Sequence, residues 1–189
     1  MSGILDFNRD KPAAAAETGG DPVMALKDDE VECPPITVRT GASTLTIAGK
    51  PSASDPTALE LRYQGTIVRT ARECAVRAGI MNMKIGIEGR VIVGPAGGPG
   101  QVEVPLRLAV VHDGPTAKTV TTKLIRIPVT VADGAPYANF EHVDQEIAFP
   151  LPRPLAAIDS YVVYVGFDPA AAAPPQRERP RARPAPKRS

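Results

Sequence analysis

A chain of 189 residues, 43% of them hydrophobic, is long enough for one domain with a real core and too short for two once its open-composition ends are set aside. With 21 prolines, 16 glycines, no tryptophan and 4% aromatic residues, a helical bundle is excluded in favour of a Val-, Ile-, Leu- and Ala-rich body punctuated by turns. The formal net charge of +1 conceals two arms of opposite sign.

The first arm, residues 1–32, carries eight acidic residues against three basic ones, a net −5. Pro12 to Pro22 is mostly Ala, Gly and acidic residues and buries too little surface to offset the entropy of ordering. The arm reads as an acidic flexible tether, with Met24 to Leu26 as a short element able to dock on the body.

Cys33 and Cys74 are the two cysteines, one at each end of a strand-like segment. An even count in that arrangement has the pattern of an internal disulfide, worth ~4 kcal/mol for a loop of about forty residues on the chain-entropy account. Two unrelated buried thiols are the alternative. Between them, Ile36 to Ile47 alternates around Gly41, as one bulged strand or as two strands with a tight turn. From Leu59 to Cys74 the alternation predicts one half-exposed strand, with Leu59, Leu61, Tyr63 and Ile67 on one side and Glu60, Arg62, Gln64, Thr66 and Val68 on the other.

Three clear alternating runs follow. Met83 to Val93 and Val102 to His112 each place aliphatic residues on one face and charges on the other, and Thr119 to Val131 places Ile125, Ile127, Val129 and Val131 on one face. Pro105 and Pro128 each remove a ladder donor and predict edge positions or bulges. Gly94 to Gly100 reads as a hairpin loop: it lacks the Lys-Ser/Thr of a P-loop, and its prolines remove backbone donors. Ala138 to Phe149 supplies a sixth, less regular strand. Ile158 to Phe167 supplies a seventh, apolar on both faces and therefore expected to be central and covered twice. About seven strands at this spacing predict an all-β fold, an immunoglobulin-like antiparallel β-sandwich over residues 33–169 with disordered arms at both ends.

After Pro169 the chain is a basic Pro/Ala/Arg-rich tail, residues 170–189, with a net +5. Arg177, Arg179, Arg181, Arg183, Lys187 and Arg188 form a candidate electrostatic contact for anionic lipid or an acidic protein. Interleaved aromatics that would stack bases are missing, so no nucleic acid is expected.

No residues form a catalytic or ligand-binding pattern. His112 and His142 have no ligand partners at a diagnostic spacing, and Ser160 sits in no nucleophile motif. Glu73 beside Cys74 would raise a thiol pKa, not lower it. The sequence therefore predicts no catalytic residues, no cofactor, no metal and no enzyme.

No apolar run approaches the ~20 residues that span a bilayer, and Met1 to Phe7 lacks the regions of a signal peptide, which taken literally indicates the cytoplasm. The cysteine pair and the acidic tether point instead to an envelope location. Cys33, Thr70-Ala-Arg-Glu-Cys74, Gly89 to Gly100 and the final strand together resemble small, uncharacterised envelope lipoproteins of alphaproteobacteria. The resemblance covers the whole body and carries no site residues. It implies periplasmic exposure, a disulfide, and a lipid anchor on a cysteine in the position where Met1 stands.

On this reading the protein is a non-enzymatic accessory or structural subunit of an envelope assembly, with protein partners and membrane anchoring through the lipidated cysteine. A cell-wall or carbohydrate-binding module and a cytoplasmic interaction protein are the alternatives.

Overall fold

The computed structural model describes residues 31–49 and 56–172. Most of the acidic tether, including Met24 to Leu26, and the tail cations Arg177, Arg179, Arg181, Arg183, Lys187 and Arg188 lie outside these residues. The strands are β1 (Ile36–Val38), β2 (Thr44–Ala48), β3 (Leu61–Arg77), β4 (Ile80–Val93), β5 (Gly100–His112), β6 (Lys118–Val131), β7 (Tyr137–Pro150) and β8 (Tyr161–Phe167). They form two four-stranded sheets, ordered β1-β8-β5-β6 and β2-β3-β4-β7. This is an immunoglobulin-like β-sandwich of eight strands.

The alternation read from the sequence decides which side chains fill it. Met83, Ile85, Ile87 and Val91 on β4 face Val104, Leu106, Leu108 and Val110 on β5, all at 1% exposure or less. Ile125, Ile127, Val129 and Val131 extend the layer along β6, Ile147 adds to it from β7, and Phe140, Phe149 and Phe167 supply its aromatic bulk.

The extra strand comes from Ile36 to Ile47, which is one path that changes sheets. β1 runs parallel to β8, with Ile36 opposite Val163. The Arg39 amide still bonds to the Val165 carbonyl, and the Phe167 amide to the Ala42 carbonyl at 2.8 Å. The chain then turns at Gly41, whose φ of +80° suits glycine, and β2 pairs antiparallel with β3 instead, Thr44 opposite Thr66. β1 is thus a parallel member of a fold expected to be antiparallel throughout.

Several expectations need correction. Leu59 does not begin a strand: Ala58–Glu60 is a single 3-10 turn, held by the Thr57 amide and hydroxyl donating to Glu60 Oε2, and Leu59 is 78% exposed. β3 then runs past Cys74 to Arg77, where Ala78 (φ 50°) and Gly79 (φ 75°) make a two-residue hairpin turn into β4. A bulge at Val68 inverts its phase: Tyr63 and Gly65 face inward before it, and Cys74 and Val76 after it.

Pro105 lies in β5, a central strand, and not at an edge. Its carbonyl accepts from the Asp168 amide just beyond the end of β8, so its missing N–H falls where the neighbouring strand stops. Pro128 is on the edge strand β6.

The 94–100 loop is not a hairpin either, because it carries the chain from one sheet to the other. β8 is central, yet only its inner face is fully buried. Val162 and Tyr164 on the outer face are half-exposed, and cover comes only near Gly166, where Ala42 leaves no room for a Cβ. Finally, residues 170–172, placed with the tail, belong to a helical turn, Pro169–Ala172.

Candidate functional site

The two long sides of the sandwich are closed by different chemistry. On the first side Cys33 and Cys74 are joined by a disulfide, with their Cα atoms 5.7 Å apart. Cys33 leads into β1 of one sheet and Cys74 lies in β3 of the other, so the bond ties the sheets together where the chain enters the domain. Both cysteines are half-buried and, like Val31, pack against the core.

The second side, between β6 and β7, is held by charge. Leu108 is buried and pairs with Lys123, so Lys123 points inward from the edge of its sheet. A one-residue bulge at Gln145–Glu146 leaves Asp144 inward as well, at 3% exposure. The Lys123 ammonium donates to Asp144 Oδ2 and Glu146 Oε2, and the Glu146 amide donates to Asp144 Oδ1 at 3.0 Å.

Burial works against the Asp144 charge, but the Lys123 and Glu146 hydrogen bonds outweigh it and hold its pKa below the ordinary value. Hydrogen bonds to Asp144 and Glu146 raise the pKa of Lys123. A lysine held charged is a poor nucleophile or base, and an aspartate held ionised and doubly bonded is a poor acid. The cluster is a clasp, and inward charges of this kind also discourage edge-to-edge association at β6 and β7.

His142 lies beside the clasp, its Nε2 4.0 Å from Asp144 Oδ2 and without a hydrogen-bond partner among the described residues. His112 is remote from it and stacks on Tyr161 at 5.1 Å. Among the described residues no group of three or more His, Cys, Asp or Glu is placed to hold a metal ion. Ser160 ends a 3-10 helix and its carbonyl accepts the Asp113 amide. An open depression on the β8 face is lined in part by Arg39, Arg107, Tyr164 and Asp168, but Asp168 already neutralises Arg107 at 2.7 Å.

The glycine-rich loop is structural. A Cβ on Gly94 would stand 2.2 Å from the Leu61 carbonyl oxygen, and one on Gly97 2.1 Å from that of Arg62. The Tyr63 hydroxyl donates to the Gly98 carbonyl at 2.8 Å, pinning the loop to β3. Gly94→Ala should cost about 1–3 kcal/mol because the obstacle is backbone, a loss readable by urea denaturation.

β6 and β7 are edge strands too, but inward charges guard them; what remains is the edge at β3. β2 pairs with β3 only over Leu61–Thr66, because the path upstream of β2 belongs to the other sheet. From Ile67 to Arg77, β3 is bonded to β4 on one side. On its other side the described residues make no backbone hydrogen bond to it, and Cys33 approaches it only at Cys74, with Cα atoms 5.7 Å apart. Arg69 (70% side-chain exposure) and Glu73 (64%) stand on the solvent face of this stretch, and Val68 protrudes at its bulge, 62% exposed. An unpaired strand of this length is a template for another strand.

The sequence hides this edge because nothing in the alternation of β3 says where its neighbour leaves. The break at Thr40-Gly41-Ala42 was the available signal. No protein-family model, curated protein or solved structure matches the chain.

Proposed function

We propose that this protein is a non-enzymatic accessory or structural subunit of a bacterial cell-envelope assembly, a periplasm-facing lipoprotein whose sandwich is the contact module. The observation that carries the reading is the open β3 edge, Ile67 to Arg77, beside the Cys33–Cys74 bond. A disulfide persists in oxidising compartments and is rare in the cytosol, which favours the envelope over a cytoplasmic interaction protein. The free edge offers main-chain donors and acceptors to a partner strand, so contact is by strand addition. Membrane attachment rests on the resemblance, which implies a lipidated cysteine ahead of the acidic tether.

A sugar-binding role has less support. Tyr137 is exposed beside Ile92, but the Arg90 guanidinium lies 4.5 Å above its ring and occupies the face a sugar would stack on.

The test is a photo-crosslinking residue at Ala75, on the open edge, with a second at Asn139 on β7 as control, in cells carrying the complete gene. The expected result is an adduct with one envelope protein, a second copy of this chain included, from position 75 and none from 139, in protein whose thiols are blocked until reduced. Recovery from the cytosolic fraction with two free thiols would overturn the reading.

A further inference from the structure

Resting on the strand-addition reading, we propose that the occupant of the β3 edge is the β3 edge of a second copy, paired antiparallel about a two-fold axis at Ala71. Register and charge select this pairing. In a symmetric antiparallel pair the residue at the axis faces its own copy, and positions equally spaced from it face each other.

An axis at Ala71 sets Arg69 opposite the partner's Glu73, and Glu73 opposite the partner's Arg69, on the solvent face. Within one chain Arg69 already pairs with Glu88 and Glu73 with Lys84. The joined sheets would therefore carry a row of alternating sign, Glu88, Arg69, the partner's Glu73 and the partner's Lys84, repeated by symmetry. Opposite charges facing across strands favour pairing, and like charges oppose it.

The neighbouring registers lack this match. An axis at Glu73 sets Glu73 against itself and Arg69 against Arg77, and one at Arg72 sets arginine against arginine. An axis at Thr70 leaves Arg69 facing Ala71. Ala71 is small enough at the axis to let the strands approach. The Val68 bulge on one side and Cys74 on the other bound the paired stretch, making the contact short and the dimer weak and reversible.

Sedimentation of the full chain over a concentration series, with amide exchange read at residues 69–73, tests the proposal. A monomer–dimer equilibrium is expected, with these amides growing more protected as concentration rises. Arg69→Glu and Glu73→Arg should each weaken the dimer about tenfold or more, and the double exchange should restore it. Both side chains are exposed, so the variants keep the fold, which circular dichroism verifies.

A monomer at every concentration overturns the proposal. So does protection at 69–73 independent of concentration, the outcome if the chain's own acidic segment lies on the edge. A dimer indifferent to the charge exchanges places the contact elsewhere and overturns it too. If the dimer fails while the Ala75 crosslink to an envelope protein persists, the strand-addition reading survives with a different occupant; if both fail, so does that reading.

Discussion

Replacing Cys33 and Cys74 together with alanine should lower the stability of the domain by about 4 kcal/mol, read as a lower urea midpoint. The value follows from the 41-residue separation of the cysteines on the chain-entropy account. Against a typical total of about 5–15 kcal/mol it is a large fraction.

The loss has a location as well as a size. Without the bond, the path from Cys33 to β1 keeps only three register pairs with β8, and its release exposes Ile36 and Val38. Hydrogen exchange should therefore show the β1 and β2 amides opening well before those of β4 and β5. Reduction of the native protein should reproduce the shift. If the double variant keeps its midpoint within ~1 kcal/mol, the bond is a passive ornament and the compartment argument weakens.

How far the fold was legible depends on phase. β4 and β5, and β6 from Thr121 to Val131, keep an unbroken alternation, and there the inward residues follow directly from the sequence. β3 and β7 each carry a bulge, and one extra residue exchanges inside for outside. Cys74 was recognisable by composition, but its inward direction depends on the Val68 bulge. Asp144 in Phe140-Glu-His-Val-Asp reads as a surface acid, and only the register to Ile85 places it inside.

The candidate site was less legible because it is defined by a neighbour's departure. Nothing in Ile67 to Arg77 differs in composition from a paired strand. Its openness is fixed some twenty-five residues upstream, at Gly41, where β1 leaves one sheet for the other. Backbone availability of this kind leaves no residue signature, in contrast to a catalytic motif, whose chemistry requires particular side chains at particular spacings.

The clasp gives the second large effect. Lys123→Met should cost about 3 kcal/mol at pH 7, because it strands the Asp144 carboxylate at 3% exposure without its cation. The pH dependence separates charge from packing. The pKa of Asp144 is lowered on folding, so its contribution is present above an unfolded value of about 4 and lost as pH falls through the folded value. Lys123 is raised, so its contribution is complete below about 10.4 and lost as pH rises through the folded value. The deficit of the variant should accordingly be largest between about pH 5 and 10 and shrink below about pH 4, where a protonated Asp144 no longer needs a cation. Denaturation at pH 3 and pH 7 measures it; equal deficits at the two would trace the loss to packing of the lysine stem. Adding Asp144→Leu to Lys123→Met should recover most of the loss, since an apolar pair of similar volume fits a buried edge as well as a desolvated ion pair does.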